Sequence, residues 1–377
     1  MTAGRPDIGI AVIGSGSMAR AHAYGYAAAP LMWALPARPR LVVLCGRDAA
    51  GTQRTARVLG FGDHTTDWRR AVERADVDIV DICTPPGVHA EVVRAAAAAG
   101  KAVICEKPLT ASLADAVAAV DAVTSAGVLN AIGFNYRRLP AIALMRQMIA
   151  EGQVGTPQLW RSTWLSDEFS DAAAPFDWRF DREMGASTIA DLGSHLIDLA
   201  EWMIGPITDV CAQSQTFTPY RRQAEEDGLT RVSVDESSSA LLQFAGSARG
   251  TFEVSKTCVR HPCDFTVEVN GTEGTLLFEY ACLNELRYGA AAEPRSLYGM
   301  RIIRAEDPVH PYAAHWWPIG QGIGYGASFV NTAAELLAAW PDGPWEPDLR
   351  TGLRVQQVCA AIESSAADRR WSRVPSS

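Results

Sequence analysis

The chain has 377 residues, 48% of them hydrophobic, and sets 34 Lys and Arg against 43 Asp and Glu for a net charge of −9. A length beyond what one core usually holds predicts two domains, and the acidic balance, with no Lys/Arg cluster to offset it, argues against a nucleic-acid or anionic-membrane partner. No apolar stretch approaches bilayer length, the start MTAGRPDIGIAVIG lacks a charged segment leading into an apolar one, and the eight cysteines form no disulfide pattern, so a cytoplasmic protein is expected.

IGIAVIG (8–14) reads as a buried strand and 17–29 as a helix. RLVVLCG (40–46) is a second strand after a Pro-rich loop at 30–39, followed by helices near 49–59 and 67–74. VDIVDICT (77–84) is a third strand, 89–100 a helix, KAVICEKP (101–108) holds the fourth strand, 112–127 is a helix, and VLNAIGFNY (128–136) holds the fifth. Continuous apolar strands alternating with helices predict a parallel, doubly wound sheet. The grammar then changes. After a helix from Arg138 to about Gly152, strand-like stretches at 158–165, 207–217, 237–246, 248–257, 264–272 and 274–280 often alternate and are joined by turns such as Asn270-Gly271. Helices over 327–340 and 348–368 close the chain. The segment Cys258-Val-Arg-His261-Pro-Cys263 has the wrong spacing for a zinc site, reads as strand and turn, and no metal is expected.

The first strand ends in Gly14-Ser15-Gly16-Ser17-Met18-Ala19, a G-x-G-x-x-A dinucleotide fingerprint. Gly14 permits the tight turn, Gly16 lets backbone approach a pyrophosphate, the helix opening at Ser17 and Met18 stabilises the anion, and Ala19 permits close helix–strand packing. The second strand ends Cys45-Gly46-Arg47-Asp48. An acidic residue there would bond both ribose hydroxyls; Gly46 stands at that place, and Arg47 can pair with a 2′-phosphate, which leans towards NADP over NAD. Asp48 serves NAD if the strand ends a residue or two later. Thr84-Pro85-Pro86-Gly87-Val88-His89 follows the third strand at the same sheet edge, where Thr84 and Pro85 meet the cofactor and His89 either contacts it or caps the helix. Glu106-Lys107-Pro108 ends the fourth strand on that edge and aims Lys107 into the crevice. The predicted fold is α/β, with an N-terminal Rossmann dinucleotide-binding domain over residues 1–133 and a C-terminal α+β domain over 134–377 built on a large, mostly antiparallel open sheet.

The fingerprint, the T-P-P-x-x-H turn, the E-K-P at a strand end and the later Asp191-Leu-Gly193-Ser-His195 together resemble the Gfo/Idh/MocA family of oxidoreductases, over essentially the whole chain. The resemblance implies a dehydrogenase or reductase moving a hydride between nicotinamide and a secondary alcohol of a sugar, anhydrosugar, glycoside or cyclitol. It implies that Lys107 donates to the substrate oxygen, that His195 is the general base on that hydroxyl, and that Asp191 orients the imidazole or binds a neighbouring hydroxyl. An imidazole with its ordinary pKa near 6.5 suits that task, and a spacing of four from Asp191 to His195 puts both on one face if a helix begins there. It also implies that Pro108 follows a cis bond and that Glu106 anchors the lysine turn. Asn135 and Arg137 in GFNYRR either face the crevice or bridge the domains; Trp178-Arg179 look like the family's W-R loop near cofactor or substrate. The stretch from Trp317 to Tyr325, with FDWRF and the 30–39 insert, looks like the levoglucosan dehydrogenase branch, where Tyr325 would contact a polyol; Gly46-Arg47 departs from the acidic residue of that branch. A homodimer or homotetramer through the open sheet is expected. Two other readings stand beside the dehydrogenase: a glycosidase or lyase that recycles bound NAD through transient oxidation at C3, and a nucleotide-binding sensor without chemistry.

Overall fold

The computed structural model describes residues 6–223, 228–341, 343 and 345–375. Two compact units divide the chain: Met1–Arg138 with Gly324–Leu353, and Leu139–Ile323 with Arg354–Ser377.

The first unit is a six-stranded parallel sheet. In chain order it runs β1 (Asp7–Ile13), α1 (Ser17–Met32), β2 (Arg38–Cys45), α2 (Ala49–Leu59), β3 (Asp63–Thr65), α3 (Trp68–Val72), β4 (Ile79–Ile82), α4 (His89–Ala98), β5 (Ala102–Cys105), α5 (Leu113–Ala126) and β6 (Asn130–Ile132). The strand order is β3-β2-β1-β4-β5-β6, so direction of travel reverses between β1 and β4. All four residues of β4 and of β5 are buried, as expected for strands covered on both faces. Asp48 and Ser112 cap α2 and α5 through their side chains, and Gly60 and Gly127 end them in left-handed conformation. Helix α1 continues through Pro30 to Met32, three residues past the expected end. A proline so near the terminus disturbs only the last turn, and Trp33 N–H still closes on the Ala29 carbonyl at 2.9 Å.

The sequence reading put one boundary at 133/134. The structure instead keeps GFNYRR and Gly324–Leu353 with the first unit. The reason is packing: the later helix, numbered α8 below, runs from Gly326 to Ala339 against α1. Its Asn331 donates to the Arg138 carbonyl at 3.1 Å, and Ile132 N–H donates to Pro347 O at 3.0 Å, extending the β6 edge.

The second unit contains α6 (Pro140–Ala150), β7 (Pro157–Leu165), α7 (Ser194–Ile204), β8 (Ile207–Gln215), β9 (Tyr220–Arg222), β10 (Leu229–Arg231), β11 (Ser237–Phe244), β12 (Arg249–Ser255), β13 (Asp264–Gly271), β14 (Gly274–Glu279), β15 (Glu285–Ala290) and β16 (Arg301–Arg304). After α8 come α9 (Leu349–Asp368), most of which lies in this unit, and β17 (Ser372–Arg373). Its nine-stranded sheet has the order β16-β15-β14-β13-β7-β12-β11-β8-β17. Among its pairs only β7–β12 is parallel. Burial alternates along β11, β12 and β13, the period-two signature of a sheet with one covered face. β9 and β10 form a separate two-stranded ribbon.

Candidate active site

The fingerprint turn is shaped for close approach. Gly14 has φ of 120° and its N–H donates to Cys45 O at 2.8 Å. An added Cβ there would meet the Cys83 carbonyl oxygen at 2.5 Å, so only glycine fits. A Cβ on Gly16 would meet nothing within 4 Å, and α1 begins with no side-chain cap and no acidic residue in its first turn. Gly16 and Ser17 are exposed and Met18 half-buried at this open, uncapped N-terminus, which fits a pyrophosphate. The Thr84 hydroxyl oxygen, beside the turn after β4, is buried with no hydrogen-bond partner. The open turn, the uncapped helix start and the partnerless hydroxyl fit a dinucleotide.

The end of β2 is where the adenosine ribose of a dinucleotide lies in this kind of fold. A Cβ on Gly46 would lie 2.3 Å from Thr52 Oγ1 and 2.5 Å from Ser15 Oγ, so no acidic side chain fits there without repacking. The Asp48 carboxylate is committed to the α2 N-cap, accepting from Ala50 and Gly51 N–H at 3.2 and 2.8 Å. Arg47 is exposed.

The Glu106-Lys107-Pro108 turn, with its cis Lys107–Pro108 bond, is held on two sides. Glu106 is buried; its Oε2 accepts from the Lys107 N–H at 3.0 Å and its Oε1 from His22 Nε2 at 2.9 Å. His22 Nδ1 donates to Asp81 Oδ2 at 2.8 Å, and the Tyr26 hydroxyl donates to the same oxygen at 2.9 Å. Burial, the largest single effect, would lower the His22 pKa, but Asp81 and Cys83 together outweigh it and the imidazole is held well above 6.5. On the other side, His89 is fully buried with its ring among carbonyl oxygens: Nε2 lies 2.7 Å from Thr84 O, Nδ1 3.1 Å from Leu109 O and 3.2 Å from Pro108 O. Burial lowers its pKa. The sequence leaves His89 as either a cofactor contact or a helix cap; buried among these carbonyls, it ties the Thr84 turn to the lysine turn. Lys107 itself is half-buried.

In the second unit, Asp191 lies in a π-helical turn, Ile189–Gly193, that runs directly into α7. Such wide turns recur at functional sites. Gly193 allows it, since a Cβ there would come within 2.8 Å of the Phe252 ring on β12. Lys256, only 2% exposed at the end of β12, donates to Asp191 Oδ2 at 2.5 Å and pairs with Glu168 Oε2 at 2.9 Å. Burial opposes its charge, yet Asp191 and Glu168 raise its pKa above the ordinary value. Glu168 also lies 3.5 Å from Arg179, whose guanidinium stacks 4.7 Å from the Trp178 ring. The loop carrying Glu168, Trp178 and Arg179 is anchored by the buried Arg221–Glu236 pair, with Arg221 donating to the carbonyls of Phe169 and Asp171. His195, in the first turn of α7, is 5% exposed and stacks on Trp164 of β7 at a centroid distance of 5.6 Å. The structure thus links Asp191 to Arg179 and Trp178 through Lys256 and Glu168.

The remaining residues divide. Asn135 is buried and donates to Ser328 Oγ at 2.8 Å and to the Tyr325 hydroxyl at 3.3 Å, which fixes the start of α8. Arg137 is buried, and Tyr325 keeps 36% exposure. Among the described residues, the one trio of metal-capable side chains with ligand atoms together is His22, Asp81 and Cys83; hydrogen bonds account for it, and Cys258, His261 and Cys263 form no such cluster. No helix among the described residues is long and apolar enough to cross a membrane.

Residues 8–134 match the oxidoreductase family with NAD-binding Rossmann fold, and residues 142–277 match the GFO/IDH/MocA C-terminal domain. Levoglucosan dehydrogenase of Pseudarthrobacter phenanthrenivorans is 34% identical over 98% of this chain and 98% of its own. The chain belongs to the Gfo/Idh/MocA oxidoreductase family. Two solved structures are closely similar: an oxidoreductase domain protein from Kribbella flavida, with 39% identity, TM-score 0.95 and coverage of 98% and 100%, and a levoglucosan dehydrogenase in complex with NADH and L-sorbose, with 34% identity, TM-score 0.95 and coverage of 99% and 100%.

Sequence reasoning missed four residues in this Gfo/Idh/MocA chain: His22, Asp81, Glu168 and Lys256. Two left a signal. Asp81 interrupts an otherwise apolar buried strand, and Lys256 falls on the inward row of β12 after Gly250, Phe252 and Val254. A charge on a core row calls for a partner.

Proposed function

We propose that the chain is a pyridine-nucleotide-dependent dehydrogenase acting on a secondary alcohol of a sugar, anhydrosugar, glycoside or cyclitol. The observation that carries this reading is the fingerprint turn after β1 and Lys107 after β5 at the carboxyl edge of one parallel sheet, on either side of its β1/β4 switch point. Lys107 donates to the substrate oxygen and stabilises the negative charge that develops on it. His195 takes the hydroxyl proton. Asp191, with one oxygen pinned by Lys256, accepts from a neighbouring hydroxyl or orients the imidazole. The bound nicotinamide supplies the acceptor for the hydride leaving the carbinol carbon. Gly14, Gly16, Ser17, Met18, Thr84, Pro85 and Glu106 form the cofactor side; Trp178, Arg179, Arg137 and Tyr325 are assigned to cofactor or substrate recognition.

Arg47, with Gly46 bare and Asp48 spent on a cap, supports NADP over NAD. Arg47→Ala then weakens NADP about 10- to 100-fold, the worth of a charge-assisted pair, and leaves NAD unchanged. The exposed sheet face, with Leu159 and Leu241 41% and 51% exposed, supports a homodimer or homotetramer, which light scattering tests. Eight free thiols support a reducing, cytoplasmic compartment.

The test is an absorbance assay for reduced nicotinamide with both nucleotides against levoglucosan, myo-inositol, glucose, xylose and aryl glucosides. Turnover that Lys107→Ala abolishes without loss of nucleotide binding supports the reading. Aglycone release from a chromogenic glycoside, with no net coenzyme reduction, overturns it.

A further inference from the structure

Lys107 owes its position to a chain of buried polar contacts that starts far from it in sequence. The Tyr26 hydroxyl donates to Asp81, His22 joins Asp81 to Glu106, and Glu106 accepts the Lys107 N–H. Both ring nitrogens of His22 face carboxylate oxygens, Nδ1 at 2.8 Å from Asp81 and Nε2 at 2.9 Å from Glu106, an arrangement that favours the charged ring. Each link has little alternative. Asp81 is fully buried and Glu106 nearly so. The cavity behind them, lined by His22, Tyr26, Glu106, Asn135 and Phe329 among others, is about 30 Å³, room for only about one or two waters. Asp81 and the Cys83 thiol, pushed up to about 12 chiefly by burial, come from the end of β4; Glu106 comes from the end of β5, Tyr26 from α1 itself, and Tyr325 and Phe329 from α8.

We propose that His22 is a positioning residue for catalysis: clamped between Asp81 and Glu106, it sets the Glu106 carboxylate and through it the placement of the Lys107 ammonium. His89 grips the same turn from the far side, through the Pro108 and Leu109 carbonyls. Two buried histidines therefore hold one lysine. His22 meets carboxylate oxygens and its pKa is raised; His89 meets carbonyl oxygens and its pKa is lowered, chiefly by burial. The proposal rests on the reading that Lys107 polarises the substrate oxygen.

The two nitrogens of His22 can be separated by substitution. In His22→Gln the amide nitrogen falls where Nε2 was and can still donate to Glu106. In His22→Asn it falls where Nδ1 was and reaches only Asp81. His22→Asn is expected to lower kcat about 100-fold, the loss that follows a displacement of about 1 Å at a reacting group, with KM and reduced-nucleotide affinity within about threefold of wild type. His22→Gln is expected to recover at least tenfold of that loss. A merely structural histidine would not give this order or this split.

A second readout needs no turnover. The chain has three lysines, Lys101, Lys107 and Lys256. Reductive methylation with ¹³C-formaldehyde gives each its own NMR resonance, assigned by Lys→Arg substitution. The Lys107 resonance should move in His22→Asn and return in His22→Gln, while that of Lys101, bonded to the Arg74 and Val77 carbonyls, stays put. If wild type turns over none of the substrates, the dehydrogenase reading fails, and the Lys107 resonance alone then decides the clamp. An unchanged Lys107 resonance and unchanged kcat in His22→Asn overturn the proposal, as does a His22→Gln variant no better than His22→Asn. If His22→Asn fails to fold, a His22→Gln variant with kcat within about tenfold of wild type and an unmoved Lys107 resonance supports the clamp; loss of both refutes it.

Discussion

Lys256→Met tests whether the second unit's charged cluster serves chemistry or stability. Methionine keeps the length of the stem and its packing on Phe169, over whose ring the ammonium sits at 4.5 Å, and removes only the charge. Two contacts disappear, at 2.5 Å to Asp191 and 2.9 Å to Glu168. An attraction of about 4 kcal/mol per pair at an effective dielectric of about 20 overstates the loss. The Asp191 and Glu168 side chains are 36% and 44% exposed, so water re-solvates both, and the cost of burying an ammonium vanishes with it. The net stability change is therefore within about 1 kcal/mol, or about 2–4 °C in melting temperature. The effect on rate is larger. An Asp191 carboxylate freed to move by about 1 Å costs about 100-fold in kcat, or about 2.7 kcal/mol of transition-state stabilisation. Steady-state rates at the reduced-nicotinamide band and a thermal melt on the same sample give both quantities. The double variant with Asp191→Asn should be no slower than Asp191→Asn alone, since both act through one carboxylate. Wild-type kcat in Lys256→Met refutes the reasoning, and so does a rate loss matched by a melting-temperature drop of ten degrees or more.

Gly14→Ala should abolish nucleotide binding in calorimetry and destabilise the first unit by about 1–3 kcal/mol, because a Cβ at φ of 120° also strikes the Cys83 carbonyl. Thr84→Val should weaken reduced-nucleotide binding about 3- to 10-fold, the worth of one hydrogen bond, without lowering the melting temperature of the free protein, since that buried hydroxyl has no partner to lose. Asp235, next to the π-helical turn through its bond to Thr188 N–H, has its pKa raised to about 7, first by burial and then by Glu363. The folded chain then holds this proton where the unfolded chain, with a carboxyl near 3.9, has lost it, so stability falls as pH rises from about 4 to about 7 and is level above. Asp235→Asn, which keeps the oxygen facing Thr188, should flatten that slope in melts taken from pH 5 to 8.

What the sequence disclosed was local. The fingerprint, the lysine turn and the Asp191–His195 spacing each lie within one short segment, and the continuous or alternating apolar runs told the parallel sheet from the antiparallel one. The short strands β3, β9, β10, β15, β16 and β17 escaped because none is longer than six residues and several carry mixed polar sequence. The contacts that hold the site together escaped for another reason. His22 meets Asp81 across 59 residues and Glu106 across 84, and Lys256 meets Asp191 across 65, so nothing in any window pairs them.

Composition nonetheless held a clue to them. Lys and Arg together number 34, yet only three are lysine, and none of those three is exposed. Arginine supplies the solvated surface charge of this chain, as in the pairs of Arg38 with Asp7 and Arg74 with Asp63 and Asp76. A lysine here is therefore a choice of a compact point charge with rotatable donors over a planar fork. Lys101 binds two carbonyls in the first unit, Lys107 ends a buried strand, and Lys256 crosslinks two carboxylates. Lys101 and Lys256 each reach two oxygens from a single nitrogen, which a planar fork does not reproduce, so Lys256→Arg, and Lys107→Arg at the strand-end turn, should fail in activity almost as fully as replacement by Ala, although each keeps the charge.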